Sequence, residues 1–201
     1  MKSKLVVGII VFMIIIVLIS ILAYKFLITG KTNINQSEED IVKYILNINS
    51  YKAKLEVEVE TNKNKSKYVI SQSLEANNVS RQEVLEPSNI AGVVTQYNGT
   101  NLKITNNKLN LSTTFENYSY IVENKLWLNS FIEDYKKRGN ANMTVKENEI
   151  ILEVKDEDGN KYNTYKKLYI DKKTKKPTKM IVQDINQKTL VYILYTEIEI
   201  S

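Results

Sequence analysis

The chain contains no cysteine and no histidine in 201 residues, and only two prolines and six glycines. Without cysteine there is no disulfide framework, no lipid-modified cysteine anchor, no thiol nucleophile and no thiolate metal site. Without histidine the commonest metal ligand and the usual general base are also missing. Carboxylate pairs are the remaining route to hydrolysis, since glycosidases need only two. The most tempting set is Glu56, Glu58 and Glu60. These alternate with apolar positions, so they share one face of a strand and read as a solvated face. Glu83 and Glu86 beside Pro87 receive the same reading. Asp156-Glu157-Asp158-Gly159-Asn160 looks like the start of a calcium loop. However, Lys161 stands where that loop needs glycine and Lys167 where it needs a bidentate glutamate, so a hairpin tip is expected instead. The expectation is a non-enzyme with no catalytic residues, no cofactor and no metal.

A large excess of one charge is lacking as well. The net charge is +5, and Lys2, Lys4, Lys25 and Lys31 supply four of those charges, because every acidic residue lies at or after Glu38. The remainder carries 24 Lys and Arg against 23 Asp and Glu. No basic field for nucleic acid results, and no nucleic-acid partner is expected.

What the chain does have is one long apolar run. Residues 5–23 hold no charged side chain. As a helix they span roughly 28 Å at ~1.5 Å per residue, close to the ~30 Å hydrocarbon core of a bilayer. Phe26, Leu27 and Ile28 can extend it. A secretory signal peptide is the rival reading, with Lys2 and Lys4 as its n-region. Its apolar segment is normally shorter, and no small-x-small cleavage site follows here. Residues 1–28 are therefore expected to be a retained N-terminal transmembrane anchor, and 29–37 a polar stalk. Lysines flank the run on both sides, which weakens the positive-inside signal. The four-residue N-terminal tail favours a signal-anchor that places the rest outside the plasma membrane, as a single-pass protein.

Beyond the stalk, Ser37 reads as a helix N-cap, with Glu38, Glu39 and Asp40 in the first turn. Ile41, Tyr44, Ile45 and Ile48 follow at helical spacing. The period then changes to two: Tyr51, Ala53, Leu55, Val57 and Val59 alternate with Lys52, Lys54, Glu56, Glu58 and Glu60. That alternation is a half-buried strand. Further strands are expected at 67–74, 79–85, 92–97, 102–104 and 108–113, with Asn98-Gly99 and Asn106-Asn107 as turns. Residues 124–138 return to helical spacing through Leu128, Phe131, Ile132 and Tyr135, with Trp127 beside them and Gly139 as C-cap. Strands at 143–145, 149–154, 162–170, 179–184 and 190–200 complete about eleven strands and two helices. Short turns between successive strands make the sheet antiparallel. A sheet of that size curls, so the expected class is α+β, mainly antiparallel β: an open half-barrel wrapped around helices, over residues 38–201.

Two clusters are candidates for binding. Thirteen tyrosines is a high count, and Tyr118, Tyr120, Trp127, Phe131 and Tyr135 concentrate in the middle segment. They fit either a partner or lipid surface, or ordinary core between helix and sheet. Lys166, Lys167, Lys172, Lys173, Lys175 and Lys176, with Lys161 and Lys179 nearby, form a basic cluster opposed only by Asp171. They fit either contact with a polyanion or lipid headgroup, or a solvated turn that discourages edge pairing.

The order helix, long meander, mid-chain helix, final strands resembles the lipoprotein-carrier (LolA-like) superfamily. More narrowly, it is similar to the GerS-like germination lipoproteins and related sporulation proteins of spore-forming Firmicutes. The residues that carry the resemblance are Tyr51, the run Arg81-Gln82-Glu83-Val84-Leu85-Glu86-Pro87, Gly92, Asn98-Gly99, Leu168-Tyr169-Ile170-Asp171, Thr174, Pro177 and Asp184. The resemblance implies a module that binds acyl chains, lipids or a protein. In the GerS-like branch the implied partner is a spore-cortex cell-wall amidase. It also leaves room for a lipid or lipoprotein carrier, or for a sensor restraining a membrane signalling protein. One departure is clear: where GerS-like proteins carry an acylated cysteine, this chain has an apolar helix.

Overall fold

The computed structural model describes residues 36–61, 63–77, 79–118, 126–137, 141–155 and 164–201. The expected anchor, most of the stalk, Tyr120, Gly139, the Asp156–Asn160 loop and Lys161 lie outside them. Among the described residues no helix is long and apolar enough to cross a membrane.

Among the described residues, two helices and eleven strands make up Gln36–Ser201. Helix α1 (Gln36–Leu46) leads into β1 (Tyr51–Glu60), β2 (Lys65–Leu74), β3 (Ser80–Glu86), β4 (Val93–Tyr97), β5 (Leu102–Asn106) and β6 (Leu111–Phe115). Helix α2 (Leu128–Lys137) then precedes β7 (Asn142–Val145), β8 (Glu149–Lys155), β9 (Tyr165–Asp171), β10 (Lys176–Gln183) and β11 (Thr189–Ile200). All these strands lie in one unclosed sheet, ordered β6-β5-β4-β3-β2-β1-β11-β10-β9-β8-β7. Every pairing is antiparallel. The only neighbours distant in sequence are β1 and β11, from Tyr51 opposite Ile200 to Val59 opposite Val191. This arrangement fits the expected open half-barrel.

The alternation in β1 decides which face is inside. Tyr51, Ala53, Leu55 and Val57 are buried, while Lys52, Lys54 and Glu56 are exposed. Both helices pack on the inner face. Trp127, Leu128, Phe131 and Ile132 from the α2 region meet Ile41, Val42, Ile45 and Ile48 from the α1 region in one continuous core. The same cluster includes Ile150, Leu152, Leu168, Ile170 and Met180 from the sheet. The stripe of α1 differs from expectation at one position: Tyr44 is exposed and Val42 is buried in its place.

Strand ends differ from the sequence reading where side chains rebuild the turns. The fifth hairpin begins its second strand at Leu111 rather than 108. Asn106 Oδ1 accepts the amides of Lys108 and Leu109 at 3.1 and 3.2 Å, and Asn110 takes φ 53°, so 107–110 is loop. In the β9–β10 turn, Asp171 Oδ1 accepts the Thr174 amide at 2.6 Å and its hydroxyl at 2.7 Å. Lys175 adopts φ 56° and returns the chain to pairing at Lys176, three residues earlier than expected. Helix α1 begins at Gln36, so Ser37 lies inside the first turn rather than capping it.

Candidate partner-binding surface

The inner face of the sheet is not uniform. Register carries it from β1 outward: Leu74, Gln72 and Ile70 on β2, then Ser80, Gln82 and Val84 on β3. It continues through Tyr97 and Thr95 on β4, Leu102 and Ile104 on β5, and Phe115, Thr113 and Leu111 on β6. Burial decays unevenly along that path, with Ser80 and Leu102 still buried. Leu55 is fully buried and Ile70 nearly so, whereas Val84, Val93 and Ile104 are half-buried and every residue of β6 is exposed. The core that the two described helices share with the sheet takes residues from β1, β2 and β8–β11 and none from β3–β6.

A polar seam marks the boundary. The Tyr51 hydroxyl donates to Gln72 Oε1 at 3.3 Å, and Gln72 Nε2 donates to Gln82 Oε1 at 2.9 Å. Burial raises the Tyr51 phenol well above its ordinary value, with nearby Tyr195 adding to the effect. Burial raises the Tyr195 phenol in the same way. Past Gln82 the inner face is a strip bare of the described helices, made of Val84, Val93, Ile104, Leu111 and Phe115 and interrupted by Thr95, Asn106 and Thr113. Sequence patterning registered these strands but carries no information about where helical cover ends.

The four aromatic candidates among the described residues do not form one surface. Trp127 and Phe131 are core residues, with the Trp127 ring centroid 6.5 Å from Tyr51. Tyr135 stacks on Phe131 at 5.9 Å and stays half-buried. Tyr118 lies elsewhere, exposed beside Phe115 at 6.0 Å beyond the end of β6. Of these four, only Tyr118 borders the bare strip.

The lysine cluster separates in the same way. Lys166 falls on the inward parity of β9 with Leu168 and Ile170, and it is 1 % exposed. Its ammonium pairs with Asp134 on α2. The parity was legible, and a lysine at a core position requires an acid above it. Asp134 itself, one turn after Ser130, gave no separate signal. Lys167 pairs with Glu153 at 2.6 Å across the strands. Lys172 pairs with the buried Glu38 at 2.6 Å and donates to the Lys146 carbonyl at 3.3 Å, tying the β9–β10 turn to α1. Lys176 donates to the Ile198 carbonyl at 2.9 Å. Lys173 and Lys175 are exposed.

The outer face is charged and shallow. Lys52 sits opposite Glu199 and Lys54 opposite Glu197, lining a groove of about 460 Å³ with Ser71 and Ser73. A second groove of about 430 Å³ continues past Lys54 to Glu56, Glu58 and Lys67. Glu58 contacts Lys65 and Lys67 at 2.6 and 2.5 Å, and their hydrogen bonds hold its carboxyl below the ordinary range. Glu60 is lowered likewise by Lys188. Glu83 pairs with Arg81 at 2.6 Å. Among the described residues no cluster of three or more carboxylates could hold a metal ion.

A model of the YdcC-like sporulation proteins matches residues 6–201. The chain belongs to that family. The YdcC-like chain also superposes on solved structures. One is the structure of the CwlD amidase from Clostridioides difficile in complex with the GerS lipoprotein, at 26 % identity and a TM-score of 0.54. That alignment covers 84 % of this chain and 98 % of the other. A conserved protein from Thermus thermophilus has the same TM-score of 0.54 at 12 % identity, covering 83 % and 88 % of the two chains. A LolA superfamily protein from Nitrosomonas europaea aligns at a TM-score of 0.39 and 11 % identity over 81 % and 93 %. No curated protein matches the sequence. The sporulation-related, GerS-like resemblance read from the residues is borne out.

Proposed function

We propose that this YdcC-like protein is a non-catalytic regulatory module, held outside the plasma membrane of a spore-forming cell by its N-terminal apolar segment, that binds a cell-wall amidase. The observation carrying this reading is the 26 % identity, over 84 % of the chain, to the structure of an amidase in complex with a lipoprotein. Two physical features support it. The inner face of β3–β6 offers half-exposed apolar side chains interleaved with threonines, a composition that suits a protein interface more than bulk solvent. The run 5–23 is long enough to replace the acylated cysteine that the sequence lacks.

The same structure weighs against a lipid or lipoprotein carrier as the main role. A carrier needs a hollow apolar interior between helices and sheet, and here Trp127, Leu128, Phe131 and Ile132 fill that space. The test uses the full-length protein in detergent micelles, mixed with a purified cell-wall amidase from the same cell. The expected result is a stable complex, weakened by Ile104→Asp in the bare strip, with no cell-wall hydrolysis by this chain alone. Absence of a complex, or hydrolysis by this chain that a single carboxylate substitution abolishes, rejects the proposal. Lipid co-purifying in place of protein, identified by mass spectrometry, restores the carrier reading.

A further inference from the structure

The two edges of the sheet differ in exposure: β7 keeps two half-buried residues and β6 none. At one end, β7 is four residues long and is followed at once by Lys146 and Glu147. A short edge flanked by charge is a common way to block edge pairing. At the other end, β6 is five residues long and Glu116 follows it at once, but the strand itself is fully exposed. From Leu109 to Phe115 there is no charge and no proline, and all five strand residues are exposed. Leu109, Leu111, Phe115 and Tyr118 are exposed by 64 %, 60 %, 44 % and 41 %. On its inner side β6 pairs with β5; on its outer side no described strand pairs with it.

We infer that the outer edge of β6 pairs antiparallel with β6 of a second copy of this chain, about a twofold axis through Thr113. Three properties of the strand select a second copy as the occupant. An uncharged edge meets its own copy with no like charges opposed. The sequence Leu111-Ser112-Thr113-Thr114-Phe115 is close to symmetric about its centre. Twofold pairing sets Leu111 opposite Phe115 of the second copy, Ser112 opposite its Thr114, and Thr113 opposite its Thr113. Aromatic–aliphatic and hydroxyl–hydroxyl pairs are among the favourable cross-strand combinations. This register also keeps inner faces aligned with inner faces, since a slip of one residue would turn each apolar side chain to the wrong side. The contact is isologous and therefore closes at two copies. The two bare strips become one continuous platform, and this holds whether or not the platform binds an amidase.

Five paired residues make a small interface, so a site-specific readout is better than affinity alone. The absence of cysteine supplies one. In the full-length protein, Thr113→Cys introduces a single thiol that the twofold axis sets against its copy. Under mild oxidation this variant is expected to form a disulfide dimer at least about tenfold faster than Ile185→Cys, because disulfide formation demands close, oriented Cβ atoms. Ile185 is a fair control, being 60 % exposed but remote from the β6 edge. In a second arm, Thr113→Lys and Thr113→Glu each abolish self-association seen by sedimentation, and mixing the two restores it. Equal rates for the two cysteine variants overturn the inference. So does a Lys–Glu mixture that stays monomeric while both variants keep native circular dichroism.

Discussion

One half of this sheet is covered by the two described helices and the other is bare of them, though the strands themselves look alike in sequence. In β1, β8, β9 and β10, inward residues are nearly all sealed from water by α1 and α2. In β3–β6 the same alternation leaves inward residues half-buried or exposed, Ser80 and Leu102 excepted. Alternation therefore specifies a sheet with two distinguishable faces, whereas stability depends on what is laid over one of them. The covered half carries the fold and the bare half is left for binding.

The sharpest way to test that division is to delete the same side chain in each half. Phe131→Ala, at a fully buried site, should lose about 3–5 kcal/mol in chemical denaturation. Phe115→Ala, exposed on β6, should cost less than about 1 kcal/mol. Equal losses would mean that the bare half is not bare. Next in size is the ion pair beneath α2. Asp134→Ala removes the counter-ion of an almost fully buried ammonium and should cost about 3 kcal/mol. Lys166→Met should cost less, because the Asp134 side chain, 18 % exposed, keeps access to water.

The response to pH should also divide by region. Burial raises the Tyr51 and Tyr195 phenols above their ordinary value of 10.0, so both stay neutral in the folded chain. The unfolded chain ionises them from that value upward. Their contribution is thus complete below pH 10 and lost as pH rises further, visible as a falling denaturation midpoint. Glu58 and Glu60 on the outer face are lowered from 4.5 by their lysines. Their contribution is present above that value and lost as pH falls below it. Solvent screens these exposed pairs, so the acid limb should be the shallower one and should flatten in salt. A small change of similar size to Phe115→Ala is expected for Gly99→Ala in the β4–β5 turn. Gly99 holds φ 92° with open space around it, so the cost is backbone strain alone, about 1 kcal/mol. A loss several times larger would show that the bare half contributes to cooperativity.

Much of the fold was legible because period two survives in nearly every strand. Eleven strands and two helices follow from alternation, turn residues and one return to helical spacing. Turn boundaries were less legible, because Asn106 and Asp171 act through side-chain hydrogen bonds that hydropathy does not register. Tyr44 was misplaced because Ile41, Val42, Tyr44 and Ile45 span more of the helix than its contact face uses. The lysine cluster read as one patch because sequence proximity hides parity: Lys166 points inward and Lys167 outward. The limit of helical cover was not legible at all, since it depends on which strands two short helices can reach.

The pairing of β1 with β11 also has a consequence in time. Ser50 and Ser201 are joined by hydrogen bonds of 2.9 and 3.3 Å across 151 positions. At synthesis rates of about 5–20 residues per second, roughly 7–30 s separate the first strand from the partner that completes its ladder. During that interval Tyr51, Leu55 and Val57 lack a neighbour on one side, and the central ladder cannot close early. The domain's architecture thus delays its own completion, leaving a slack chain that can be threaded through a narrow channel before it sets.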